Sequence, residues 1–434
     1  MGRAFRSIRN RARLWVVPIR DGMGMLLAGE TTVSNDEKQL SVPRLIGIGL
    51  GTRLFIDTGV QIFFPFLAII AQGMGITPVA LGQLVSLRSF MGLFAPLFGN
   101  LAIQRGYRPT MRLGLLLTSV GFAILGFSQD FWVAALGMVL MGLGSYSFTP
   151  TLQAYVSSRL PYERRARGIG ILEYSWALAG IVGLFVVGLL LEVVSWRVPF
   201  FIISGATLLA AILYGWLPAA QARQEGIVDA SQPFWQRLMS YFDLGENGRS
   251  AFANIASGNF LMFGAFNVFF SYGVWMFTDF ELSAASLGQL AFALGTADLV
   301  GSVMVSLISD RLGKRNSVLV GGSIACIGFA LLPFVSAVLV TAVIGLLIAR
   351  CAFEFAIVSN LSLLSEQVPD QRAKVMTLGA ALSVVGTGFA ASASPWLFEQ
   401  YGIRGVAFVS AASLFFAVVL LLGWVKEPAD LVKL

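Results

Sequence analysis

The sequence predicts an all-α integral membrane protein of twelve transmembrane helices in two pseudo-symmetric six-helix halves, on three observations. Of 434 residues, 56% are hydrophobic and 12% charged, with a mean hydropathy of +0.78. An ordinary soluble domain has about 45–50% apolar and about 25% charged residues. Uncharged runs at 131–158, 198–222, 250–278, 375–398 and 405–425 each reach the roughly 20 residues that a helix needs to cross a hydrocarbon core. A shift of 207 residues superimposes the charged turns, Gly106 on Gly313 and Arg108 on Arg315. The alternating segments of about ten residues expected of a spanning barrel are missing.

Taken in order, the first span is expected near 44–72, holding Arg53 and Asp57, and the second near 78–102, holding Arg88. The basic turn 103–112 leads to a third at 111–128, and the fourth, 131–158, is uncharged. A loop with Arg159, Arg164, Arg165 and Arg167 precedes the fifth, 167–191, which holds Glu173; Arg197 opens the sixth, 197–217. Beyond a polar linker, 218–250, come a seventh at 251–279 and an eighth at 284–309 with Asp298. The turn 310–315 precedes the ninth, 316–335, and the LLPFVSA turn separates it from the tenth, 338–365, with Arg350 and Glu354. There Pro333 interrupts an uncharged run that is too long for one helix. The loop 366–374 then opens an eleventh at 373–398, and Arg404 a twelfth at 404–425. This divides the chain into an arm (1–43), a first half (44–217), a linker (218–250), a second half (251–425) and a tail (426–434).

Lysine and arginine are distributed very unevenly. Twenty-five lie in the arm, the turns 103–112 and 310–315, the loops 158–168 and 366–374, the linker and the tail, whereas only Arg197 and Arg404 lie on the opposite side. By the positive-inside rule both termini are expected in the cytoplasm. The net charge of +7 is then a topology signal and implies no nucleic-acid partner. The segment LWVVPI in the arm is short, is closed by Arg20 and Asp21 and has no small-residue cleavage site, which argues against a cleaved signal. An Arg-rich amphipathic stretch lying on anionic lipid headgroups fits the arm better.

The repeat extends downstream: RAR at 165–167 falls on RAK at 372–374, and LEVVSWR at 191–197 on FEQYGIR at 398–404. Parallel repeats of this kind are an architecture of secondary transporters. SLISDRLGKRNSV at 306–318 resembles the loop between the second and third helices of a half in the major facilitator superfamily, G-x-L-x-D-R-x-G-R-K. Asp310, Arg311, Gly313, Lys314 and Arg315 match it, and Ser306 replaces the leading glycine. The first-half copy, GNLAIQRGYRPTM, keeps Gly99, Leu101, Gly106 and Arg108 but has Ile103 and Gln104 in place of the pattern's Asp and Arg. LPYERRARG at 160–168 also resembles the family's loop after the fourth helix. The resemblance implies the family's fold, with helices 1, 4, 7 and 10 around a central cavity and 3, 6, 9 and 12 outside. Independently of the resemblance, Asp310 opposite Arg311, Lys314 and Arg315 is expected to form an ionic latch between helices that gates at these turns; simple topology anchoring is the alternative.

Seven charges remain within spans: Arg53, Asp57, Arg88, Glu173, Asp298, Arg350 and Glu354, none of them in helices 3, 6, 9 or 12. Each costs about 2.5–3.5 kcal/mol on insertion scales, so the set points to function. At about 1.5 Å rise per residue, Asp57, Asp298 and Glu354 fall near the midplane. Arg53 and Asp57, like Arg350 and Glu354, are spaced i,i+4 and share a helix face. Four acids against three bases leave one carboxyl in excess, and a poorly paired buried carboxyl loads and releases protons near neutral pH. Asp57, Asp298 and Glu173 are the expected proton carriers, because the chain has no histidine. Arg350 is expected to hold Glu354 or Glu173 in a gated network. Ion pairs that merely fix helix register are the structural alternative.

Phe64, Tyr146, Gln153, Tyr174, Trp176, Asn267 and Tyr272 are the expected cavity residues. With so few polar groups, an amphipathic or lipophilic solute suits them better than a sugar. Without histidine, a cysteine cluster or a G-x-x-x-x-G-K-[ST] loop, no enzyme, metal, cofactor or ATP-driven pump is indicated. Cys326 and Cys351 lie in spans and form no disulfide framework. The expected function is proton-coupled export by a monomer in contact with lipid. Proton-coupled uptake, lipid flipping and a sensor or scaffold role are the alternatives.

Overall fold

The computed structural model describes residues 42–218, 242–245, 247–368 and 371–426. The basic arm before residue 42, most of the linker and most of the tail lie outside the described residues. The helices are α1 (Val42–Gln61 continuing as Phe63–Met74), α2 (Pro78–Arg105), α3 (Tyr107–Phe127), α4 (Phe131–Ser158) and α5 (Tyr162–Leu178, continuing to Leu191). They continue as α6 (Val198–Trp216), α7 (Gly248–Asp279), α8 (Ala284–Leu312), α9 (Lys314–Val335) and α10 (Leu339–Gln367). The long run Arg372–Trp424 is broken at Gly402 (φ 62°, ψ −165°), giving α11 before the break and α12 after it. Counting the bent α1 as one span, twelve helices cross the fold among the described residues.

Local chemistry sets the boundaries. Thr77 caps α2 at Ala80 N with Pro78 in the first turn, Asp130 accepts from Trp132 N and Val133 N at the start of α4, and Ser283 caps α8. Gly75, at φ 70°, closes α1, its N–H donating to Gln72 O and that of Ile76 to Ala71 O. The two segments of α1 meet at 59° beside Ile62, where Pro65 removes the N–H that would bond Gln61. Pro333 lies inside the last turn of α9, which runs on to Val335; the chain turns after it, not at it.

The repeat appears as matched contacts. Gly106 (φ 89°) and Gly313 (φ 85°) make the α2–α3 and α8–α9 turns in a region of backbone space that only glycine enters freely. Two residues on, Arg108 donates to Leu217 O at 3.1 Å at the end of α6, and Arg315 donates to Val425 O at 2.8 Å and Leu421 O at 3.0 Å at the end of α12. Each guanidinium satisfies carbonyls that a helix C-terminus leaves open.

At the end opposite these basic turns the halves are packed tightly. A Cβ on Gly188 of α5 would lie 2.7 Å from Ala284 O and 2.8 Å from Gly288 Cα of α8. Gly82 of α2 abuts Ala391 O and Pro395 of α11, and Gly273 of α7 abuts the Phe64 and Pro65 carbonyls of α1. Glu192, just past α5, accepts from Ala285 N at 2.7 Å in the first turn of α8. Toward the basic end the halves part around a cavity.

Candidate functional site

The cavity has a volume of about 750 Å³ and is lined by α1, α2, the start of α3, α4, α5, α7 and α11, within the size range of organic-ligand pockets. Its closed end is aromatic: the Phe64 ring lies 5.0 Å from Phe270, 5.8 Å from Phe266 and 6.4 Å from Trp176, all edge-on. From there it extends past Tyr146 and Gln153 to Gly99, Ile103, Tyr107 and Thr377, close to the basic turns.

On its wall stands one arginine shared by two acids. Arg53 Nη1 is 2.5 Å from Glu173 Oε1, joining α1 to α5, while its Nη2 is 3.5 Å from Asp57 Oδ2. Ser175 Oγ donates to Asp57 Oδ2 at 2.5 Å and Gln153 Nε2 to Glu173 Oε1 at 2.6 Å. Arg53 and Asp57 are buried, whereas the Glu173 side chain is 48% exposed.

A second group lies outside the cavity, between α7, α8 and α10. Arg350 Nε and Nη2 donate to Asp298 Oδ1 and Oδ2 at 2.5 and 2.7 Å, with the guanidinium carbon 3.7 Å from the Phe269 ring centre. Glu354, one turn along α10, accepts from Ser302 Oγ at 2.9 Å and makes no ion pair among the described residues. This corrects the expected pairing in three ways. Arg350 holds Asp298 rather than Glu354 or Glu173, Asp298 is the most fully paired of these acids, and α10 contributes no side chain to the cavity. The physical reason is reach: the planar fork of Arg350 takes a carboxylate on a facing helix in bidentate geometry, which an i+4 neighbour on its own helix does not offer.

Arg88 stands apart from both groups. It is 4% exposed and lines the cavity, and Nη1 donates to Val60 O at 3.0 Å. Its guanidinium carbon lies 5.8 Å from the Phe63 ring centre, and it forms no ion pair among the described residues. The sequence identified it as a buried charge but gave no sign that it lacked a carboxylate.

Of the expected cavity residues, Phe64, Tyr146, Gln153 and Trp176 line the cavity. Tyr174 is half exposed on the far side of α5. Asn267 and Tyr272 are buried in packing and do not line the cavity, because each lies on a flank of α7 turned away from the face of Met262, Phe266 and Phe270 that does; Asn267 O accepts from Ser394 Oγ. Ser89, Ser145 and Thr387 line it without having been singled out, since isolated hydroxyls in apolar runs carry no sequence signal. Among the expected gating residues, Lys314 pairs with Glu366 of α10. Asp310 and Arg311 are exposed and make no ion pair among the described residues, so the expected Asp310 latch is not formed in this conformation.

The sequence model of the Major Facilitator Superfamily matches residues 50–245 and 255–433. An uncharacterised MFS-type transporter of Bacillus subtilis, YceJ, is 24% identical over 83% of this chain and 92% of its own length. A multidrug resistance protein, MdtH, of Salmonella paratyphi B is 27% identical over 30% of this chain and 33% of its own length. The crystal structure of a D-xylose-proton symporter superimposes with a TM-score of 0.73 at 17% identity, over 89% of this chain and 98% of that one.

Proposed function

Because this chain belongs to the major facilitator superfamily, we propose that it couples protons to the export of a small amphipathic or lipophilic organic solute by alternating access. In this reading the basic end faces the cytoplasm, where the positive-inside rule puts it, and the conformation is the one open to the inside. The observation that carries the coupling is the sharing of Arg53 between Asp57 and Glu173 at the cavity wall. One guanidinium fully compensates one carboxylate, so the second is the group that a proton neutralises at least cost. A proton arriving there changes the charge of the wall and the α1–α5 contact together, as an alternating-access step requires.

Export is supported by the aromatic lining and by the partial likeness to a multidrug resistance protein. Proton-coupled uptake is a second reading, supported by Arg88: an anion and a proton entering one cavity together leave its net charge unchanged. Proteoliposomes holding the purified protein under an imposed pH gradient test both readings with a panel of labelled amphipathic solutes. Solute movement against the proton flow supports export and movement with it assigns uptake. Flux that ignores the gradient for every solute refutes coupling.

A further inference from the structure

We infer that Arg88 seats an anionic headgroup of the transported solute, a carboxylate or a similar oxyanion, with the rest of the molecule against the aromatic end of the cavity. The inference deepens the transport reading and rests on it for the claim that the occupant is cargo.

The argument begins with donors. A guanidinium has five N–H groups, and among the described residues one of them is used, on Val60 O. Arg88 lines the cavity, and its Nε and Nη2 have no hydrogen-bond partner among the described residues. Tyr146, which lines the same cavity, is uncharged near neutral pH. The other lining charges, Arg53 and Asp57, belong to the group that also holds Glu173 and are occupied with each other. An isolated arginine about midway along α2 is costly in a membrane protein, and the bond to Val60 does not require its charge. A carboxylate in the cavity would accept two parallel N–H bonds in the geometry that guanidinium recognises best. Ser89 and Tyr146 line the same cavity, the Ser89 hydroxyl donating to Val85 O. Phe64, Phe266, Phe270 and Trp176 would meet the apolar body of such a molecule. The assignment holds for either direction of transport.

The test is binding to the full-length protein in neutral detergent, without any gradient, using 2-naphthoate, 2-naphthalenemethanol and 2-naphthylmethylamine as probes of one shape and different charge. The carboxylate should bind at least about tenfold more tightly than either isostere, the scale of one charge-assisted hydrogen bond. The preference should vanish in Arg88→Gln and return in part in Arg88→Lys. Equal binding of the alcohol or amine, retention of the preference in Arg88→Gln, or failure of benzoate, 2-naphthoate and decanoate all to bind overturns the assignment. Occupancy by phosphatidylglycerol that no free carboxylate displaces overturns it too, giving the site to a lipid headgroup. The comparison of isosteres on the wild type stands even if Arg88→Gln does not fold. The transport reading fails separately. Carboxylate binding that depends on Arg88, with no gradient-driven flux of any solute, removes coupling alone; gradient-driven flux confined to neutral or cationic solutes removes the headgroup assignment alone.

Discussion

Arg350 and Asp298 meet through two parallel hydrogen bonds, Nε to Oδ1 at 2.5 Å and Nη2 to Oδ2 at 2.7 Å, and both side chains are buried. Truncating one partner leaves the other charged in a low dielectric. Arg350→Ala is therefore expected to cost about 3–5 kcal/mol of stability, while Arg350→Leu combined with Asp298→Leu should recover most of it. Thermal unfolding of the purified variants measures both. A single variant as stable as the wild type would show the pair to be energetically idle.

Asp57 accepts from Ser175 and faces Arg53 without being its closer partner. Asn keeps the shape and an acceptor for Ser175, and the Arg53–Glu173 bond remains. Asp57→Asn should change stability by no more than about 1 kcal/mol yet bring gradient-driven flux down to the level of protein-free liposomes. Wild-type flux in this variant would move the proton site elsewhere.

Glu192 ties the two halves together at the end opposite the basic turns, and the Ala285 N–H, followed by the Ser283 hydroxyl, holds its carboxyl below the ordinary glutamate value. A depressed value in the closed state means that the contact contributes fully above the ordinary carboxylate range and is lost as pH falls through the depressed value. Spin labels placed across that end should report its opening only when the pH on that face falls below the ordinary carboxylate range. Glu192→Ala should broaden the distances already at neutral pH and abolish the pH response. A response that persists in Glu192→Ala assigns it to another group.

Asp310 makes no ion pair among the described residues, so a latch built on it would form only in a conformation in which the basic end closes. Asp310→Asn is expected to leave unfolding unchanged within about 0.5 kcal/mol and to shift spin-label distances at the basic face toward the open state. Ile103→Asn, in the half without the family's aspartate, should shift them less. Equal shifts in the two variants would count against the latch.

The sequence by itself determined the spans, their order and the duplication, because hydropathy over about 20 residues, turn glycines and charged punctuation are properties of a contiguous stretch of chain. The 131–158 run became Phe131–Ser158, and the aligned Arg108 and Arg315 reach the ends of equivalent helices. Among the described residues, the sequence also located every buried charge. The tertiary structure decided which charge met which. The i,i+4 spacing of Arg53 and Asp57 brings them within 3.5 Å, yet the shorter bond goes to Glu173, 120 residues away; Arg350 passes over Glu354 for Asp298 on α8. Likewise Gln153 and Trp176 line the cavity, while Asn267 and Tyr272, in an equally aromatic stretch, do not. Partner choice and lining depend on the rotation of each helix about its axis and on its distance from helices remote in sequence. Those follow from packing: the close approach of α5 and α8 at Gly188 and Gly288, for example, brings Glu192 within reach of the Ala285 N–H.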